Sequence, residues 1–279
     1  MPLAIVTGAN TGLGFETARG LLSQGFDVVI TSRDQARGQL AVELLAQEFP
    51  SRSLSTLSLD LAQISSVDNF AKTFSSRFGN WDVLVNNAGA KVLANYSETD
   101  SGVEYHFGAN AVGHFAITAD LLPFRADTAR VVSVASIVAR FAPSEMGPSG
   151  SRGSYSPGAS YAASKLSNLL FALELENRMG SDRFSSLAAH PGFARAQPYG
   201  PKSTKFFESF LAQSAASGAL PIIAAAANAD LSGGCYLVPK VLELWGKPKE
   251  ARIPDVCTDK NLLENWITLE KLSGRDLTV

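Results

Sequence analysis

The chain alternates short apolar runs of strand length with longer stretches of helical periodicity. Leu3–Val6, Phe26–Thr31, Leu54–Leu59, Trp81–Val85, Ala129–Ala135, Phe184–Ala189 and Cys235–Val238 read as seven strands. The fully apolar ones are of the kind that suits a parallel sheet covered on both faces. Between them, helical patterns run to about Ser23, then over Gln35–Phe49, Ser65–Phe78, Ser101–Leu122, the segment after Tyr161, Lys202–Ala229 and Thr258–Leu272. Strands alternating with helices predict one α/β domain with a mainly parallel sheet. No internal repeat or linker divides residues 1–279.

Three junctions of this pattern carry chemistry. The first strand runs into Thr7-Gly8-Ala9-Asn10-Thr11-Gly12-Leu13-Gly14 and then a helix. A strand, a glycine-rich turn and a helix N-terminus together make an anion site, because free N–H groups and the positive end of the helix dipole face one point. Such a turn also serves as a plain connection, so its context decides, and here it suits a dinucleotide phosphate. The second strand ends at Ser32-Arg33 with no acidic residue in the turn. In a doubly wound sheet that position lies beside the adenosine ribose, where arginine favours a 2′-phosphate. The expected cofactor is therefore NADP(H) rather than NAD(H); the alternative for Arg33 is a solvated surface cation.

The third junction is Ser160-Tyr161-Ala-Ala-Ser-Lys165, followed by Leu166, Leu169, Leu170 and Leu173 at helical spacing. Positions i and i+4 share a helix face. A phenol of pKa about 10 is a poor base at neutral pH, and a nearby ammonium favours its ionised form. Tyr161 and Lys165 thus read as an acid/base pair, although the same spacing also occurs on helices with a packed tyrosine and a solvated lysine. Ser136 closes the fifth strand, where a hydroxyl can face substrate. Asn110 sits inside a helical pattern, an uncommon place for an amide. The stretch 141–158, rich in Gly, Pro and Ser, and the segment 202–229 are expected to wall a substrate pocket.

Composition narrows the alternatives. Apolar residues at 46%, charged residues at 18% and a net charge of −2 are those of a soluble globular protein with no electrostatic pull towards nucleic acid. Two cysteines and three scattered histidines give neither a disulfide framework nor a metal pattern. The longest apolar run, around Ala219–Ala227, falls short of the roughly 20 residues that span a bilayer. No membrane anchor is expected, and the cytoplasm is the default location.

In order, Thr7-Gly8-x-x-x-Gly12-x-Gly14, Asp60-Leu61, Asn86-Asn87-Ala88-Gly89, Asn110, Ser136, Tyr161-x-x-x-Lys165 and Pro191-Gly192 resemble the motifs of the short-chain dehydrogenase/reductase family. The likeness covers nearly the whole chain. Asn110-Ala-Val-Gly-His114-Phe115, the long loop after Ser136 and His190-Pro191-Gly192 look like its retinol dehydrogenase and protochlorophyllide reductase branch.

The resemblance implies a Rossmann-type, doubly wound, seven-stranded sheet with helices on both faces, and a nicotinamide cofactor. It implies that Tyr161 acts as acid or base and that Lys165 lowers the tyrosine pKa and binds the nicotinamide ribose. Ser136 would hold the substrate oxygen, and Asn110 a water of the proton relay. Gly8, Asn10, Gly12, Leu13, Gly14, Ser32, Arg33, Asp60, Leu61, Asn87, Ala88, Gly89, Pro191 and Gly192 would contact the cofactor. Ala196 departs from the family, which commonly has Thr there to hold the nicotinamide carboxamide.

The reaction so implied is hydride transfer between nicotinamide and the carbonyl or alcohol carbon of an apolar or aromatic small molecule, chiefly reduction of a ketone or aldehyde. Two other readings are a non-catalytic NADP(H)-binding sensor or scaffold, and a dehydratase or epimerase using the same site. Many relatives pair subunits through helices near 101–122 and 157–179, as a homodimer or homotetramer would here, and nothing in the sequence decides the oligomeric state.

Overall fold

The apolar run Leu3–Val6 forms β1, an interior strand of an eight-stranded sheet in a computed structural model of the chain. The structure describes every residue except 91, 143–146, 149–151, 195–211 and 278–279. From β1 the chain continues through α1 (Gly12–Ser23), β2 (Asp27–Ser32), α2 (Gln35–Glu48), β3 (Leu54–Ser58), α3 (Ile64–Arg77) and β4 (Trp81–Asn86). Then come α4 (Tyr105–Phe107), a π-turn (Gly108–Val112), α5 (Gly113–Leu121), β5 (Arg125–Val134), a 3₁₀ turn (Ile137–Phe141) and α6 (Pro157–Met179). β6 (Phe184–Ala189), α7 (Ala215–Ala227), β7 (Tyr236–Val241), β8 (Trp245–Glu250) and α8 (Asp259–Ser273) complete the described elements.

The strand order is β3-β2-β1-β4-β5-β6-β7-β8, parallel except for the β7–β8 pair. It reverses direction between β1 and β4, and ligands of such sheets bind outside the carboxyl ends of the strands at that point. Two apolar layers cover the sheet. Phe70, Phe74, Phe115, Phe171 and Trp266 pack on one face from α3, α5, α6 and α8. Ala18, Leu21, Leu22, Ala41, Leu45 and Ile222 cover the other from α1, α2 and α7. The single α/β domain with helices on both faces is as the sequence pattern predicts.

Three boundaries differ from expectation. The sheet has eight strands, not seven: Trp-Gly-Lys-Pro-Lys-Glu has no apolar run, because β8 is an edge strand that tolerates Pro248. The expected helix over 101–122 is broken, since Glu104 caps a new start by accepting from the amides of His106 and Phe107, and a π-turn follows. Of the expected helix over 202–229, residues 215–227 are helical; 202–211 and Ala196 lie outside the described residues. So do 143–146 and 149–151 of the expected pocket wall.

Candidate active site

At the carboxyl ends of β1, β2 and β4 lies a crevice of about 550 Å³. Gly8, Asn10, Gly12, Leu13, Gly14, Ser32, Arg33, Asp60, Leu61, Asn87, Ala88 and Gly89 all line it, as do Thr11, Arg37 and Tyr105. Backbone geometry explains the glycines at the turn. Gly8 and Gly12 have φ of +64° and +61°. A Cβ on Gly8 would stand 2.8 Å from the Ala88 Cβ, and one on Gly14 would stand 2.5 Å from Asn87 Nδ2. Thr11, at the N-cap of α1, makes no side-chain capping bond, so the first-turn N–H groups of α1 face the crevice unspent. These features suit the pyrophosphate of a dinucleotide.

At the ribose end, the Ser32 hydroxyl is buried and spent on its own turn, donating to the Asp34 carbonyl at 2.7 Å. Arg33 is exposed, and its Nη1 donates to the Tyr105 hydroxyl at 3.0 Å. Arg37, in the first turn of α2, brings a second guanidinium to the same wall. Arg37 and Tyr105 carry no sequence signal of this role: α2 and the Tyr105 turn bring them to the wall only in the closed fold. The Asp60 carboxylate accepts from the Ala62 amide at 3.0 Å and turns its own loop.

The acid/base residues gather beside this crevice. The 3₁₀ turn after β5 carries Ser136 at its N-cap, and the first turns of α6 carry Tyr161 and Lys165. The Ser136 hydroxyl lies close enough to the Tyr161 phenol to draw its pKa down. Lys165 is 4% exposed, lies 6.0 Å from the centre of the Tyr161 ring, and donates from Nζ to the Val134 carbonyl at 3.0 Å. Gly89 sits against both Lys165 Nζ and Asn110 Oδ1, each 3.4 Å from where its Cβ would be. Asn110 lies in the π-turn, an insertion that recurs at functional sites. Its Oδ1 accepts from the Ala90 amide at 2.7 Å and its Nδ2 donates to Ser164 Oγ at 3.0 Å.

Burial dominates the electrostatics of the pair. Burial raises the Tyr161 pKa above its ordinary value, and the Ser136 hydroxyl only partly offsets this. Burial also lowers Lys165 to about 8. Desolvation opposes charge on both groups, against the pull that an ammonium exerts on a nearby phenol. The Pro191-Gly192 turn follows β6: Gly192 has φ +70° and its amide donates to His190 Nδ1 at 2.8 Å. Neither Pro191 nor Gly192 is among the residues that line the crevice; Gly218 packs between the Pro191 carbonyl and Leu13, with its Cβ position 3.2 Å from the one and 2.9 Å from Cδ2 of the other. Among the described residues, no helix is long and apolar enough to cross a membrane, and no three metal-ligating side chains cluster.

Comparison with known proteins agrees with this geometry. Residues 2–204 match the family model for short chain dehydrogenases. Over 251 residues the chain is 39% identical to a mouse polyprenol dehydrogenase, covering 84% of this chain and 75% of that one. It is 36% identical to human retinol dehydrogenase 12 over 70% of this chain, and spans 62% of that relative's length. A solved structure from Mycobacterium paratuberculosis superposes with a TM-score of 0.82 at 31% identity, covering 100% of this chain and 96% of that one. A blue fluorescent protein solved with NADPH shares the fold, with a TM-score of 0.66 and 21% identity over 84% of this chain and 94% of that one. The fold, the glycine-lined crevice and these matches together make the chain a member of the short chain dehydrogenase family, in its retinol dehydrogenase-like branch.

Proposed function

We propose that the protein is an NADP(H)-dependent oxidoreductase that reduces a ketone or aldehyde on an apolar or aromatic small molecule. The carrying observation is the buried Lys165 ammonium, 6.0 Å from the centre of the Tyr161 ring and packed with Asn110 against Gly89 of the crevice wall. The bound nicotinamide supplies the hydride. Ser136 and Tyr161 donate to the carbonyl oxygen, and Tyr161 transfers its proton to that oxygen as the carbon accepts hydride, giving the alcohol. The phenolate left on Tyr161 is stabilised by the Lys165 ammonium and regains its proton from solvent. Burial favours the protonated form of Tyr161, the form that acts as acid in carbonyl reduction.

The cofactor preference rests on Arg33 and Arg37, two guanidinium groups on the crevice wall with no acidic side chain lining it beyond Asp60. Both relatives named above act, by name, on alcohols, polyprenol and retinol. An apolar substrate is further supported by Phe141, Phe193 and Leu242, which are 78%, 40% and 75% exposed around the Ser136 and Pro191 turns. The stretches 141–158 and 202–229 remain the proposed pocket walls. Two free cysteines suit a reducing compartment, and the cytoplasm is the proposed setting.

The test is Tyr161→Phe assayed with 4-deuterated NADPH against a panel of apolar ketones and aldehydes. Wild type should place deuterium on the carbinol carbon. The variant should lose about 10²- to 10⁴-fold in kcat with its NADPH Kd little changed. Near-normal turnover in the variant, or product without deuterium, would overturn the reading.

A further inference from the structure

A chain of buried hydrogen bonds runs beneath the site from the cofactor turn to the catalytic helix, and His114 is its central link. His114 stands on α5, four residues after Asn110, and is 2% exposed. Its Nδ1 lies 2.8 Å from the Asn110 carbonyl, and its Nε2 lies 3.0 Å from Thr7 Oγ1. A carbonyl only accepts, so Nδ1 carries the proton and Nε2 is the acceptor. Thr7 therefore donates its hydroxyl proton to Nε2. Its two lone pairs are left for the amides of Asn87 and Ala88, each at 2.9 Å. Beyond His114, Asn110 Nδ2 donates to Ser164 Oγ at 3.0 Å, and Ser164 Oγ donates to the Tyr161 carbonyl at 2.8 Å.

Thr7, Asn110 and Ser164 are all 0% exposed, so water does not compete for these bonds. In such surroundings each bond holds its partners firmly, and a broken one leaves buried groups unpaired. The imidazole also stays neutral: burial lowers His114 to about 3, so the direction of donation along the chain does not reverse at any working pH.

We infer that His114 is a positioning residue, which fixes Asn110 and through it couples the Thr7–Asn87–Ala88 cofactor frame to the Tyr161 helix. It touches neither substrate nor cofactor. The two halves of its job are unequal. Without Nε2, the Thr7 hydroxyl can turn to the Val85 carbonyl at 3.2 Å and still accept from both amides. Without Nδ1–H, the carbonyl of Asn110 loses its only side-chain tie to α5 beneath the π-turn, and Asn110 is no longer held in register with Ser164. The inference rests on the reading that Asn110 serves the reaction.

The experiment compares His114→Leu, His114→Asn and Asn110→Ala in the intact enzyme, reading kcat, carbonyl KM, NADPH Kd and Tm. His114→Asn places an amide nitrogen where Nδ1 stood, so it keeps the bond to the Asn110 carbonyl and drops the one to Thr7. His114→Leu drops both; His114→Met, which fills the same space flexibly, serves if the leucine variant does not fold. The expected result is a kcat loss of tenfold or more in His114→Leu with NADPH Kd within about threefold of wild type, and a kcat within about threefold of wild type in His114→Asn. A purely structural histidine would instead lower Tm in both variants and leave kcat of the folded fraction alone. A folded leucine or methionine variant with wild-type kcat overturns the inference, as does an asparagine variant as impaired as the leucine one. If Asn110→Ala itself turns over normally, the reading of Asn110 has failed, and the coupling falls with it.

Discussion

Lys165 Nζ donates to the Val134 carbonyl at 3.0 Å, joining α6 to the last residue of β5. Asn168 Nδ2 donates to the same carbonyl at 3.1 Å, so the oxygen keeps a partner without the lysine. The ammonium is thus a buried charge whose structural duty is shared, and its retention fits a role in chemistry.

That arrangement predicts a stability effect with a defined pH window. Burial lowers the folded-state pKa of Lys165 from 10.5 to about 8. Below about 8 both states carry the proton, and the folded state bears the full desolvation cost. Between about 8 and 10.5 the unfolded chain binds more protons than the folded one, so stability rises with pH. Lys165→Met should therefore stabilise the protein at pH 7, by on the order of 3 kcal/mol, while abolishing turnover. The gain should shrink as pH climbs through that window. Denaturation midpoints at pH 7 and pH 10 check this; a gain independent of pH would contradict it.

Arg33 and the 2′-phosphate make a second prediction. Arg33→Ala removes a forked cation from the crevice wall, a charge-assisted contact worth about 1.5–3 kcal/mol. KM for NADPH should rise about 10- to 100-fold while KM for NADH moves little. Arg37→Ala should shift the same ratio by less, because its guanidinium also faces Asp34, with Nε 3.4 Å from Oδ2. Equal effects on both cofactors would show that neither arginine reads the phosphate.

Ser136→Ala should move a pH profile. The Ser136 hydroxyl is what draws the Tyr161 pKa down against burial. Without it the pKa goes higher still. In alcohol oxidation, where Tyr161 must be ionised, the acidic limb of kcat/KM should shift to higher pH. In reduction, where Tyr161 must be protonated, the alkaline limb should shift the same way. Opposite movements of the two limbs would exclude Tyr161 as the shared group.

Gly14→Ala tests the cofactor turn by sterics alone. The new Cβ would meet Asn87 Nδ2 at 2.5 Å and the Gly8 carbonyl at 2.6 Å, and backbone cannot step aside cheaply. A loss of about 1–3 kcal/mol is expected, together with weaker cofactor binding. Gly158→Ala is the internal control: it lies in the first turn of α6 with nothing within 4 Å of the new Cβ. There the helix propensity of alanine should leave stability unchanged or raise it by about 0.5–1 kcal/mol. Thermal melts and cofactor titration of the two variants separate the cases.

By itself the sequence determined what depends on local pattern. Apolar runs such as Leu3–Val6 and Val28–Ile30 specify parallel strands because each must be covered on both faces. The Gly8–Gly14 turn specifies an anion site because its backbone geometry is open only to glycine. Tyr161 and Lys165 share a face because helical spacing puts them there. From these came the α/β fold, the crevice at the glycine-rich turn and the placing of Tyr161 and Lys165 on one helix.

Tertiary structure decided what depends on distant neighbours. The strand Trp245–Glu250 exists because Tyr236–Val241 offers it an edge, and its own residues carry no strand pattern. The charge states of Tyr161 and Lys165 follow from how deeply the sheet and α6 bury them, which spacing cannot express. The same holds for His114, whose histidine type is visible in the chain but whose partner Thr7 lies 107 residues away. A hydrogen bond needs its two atoms within about 3 Å, and only the closed fold brings those two residues together.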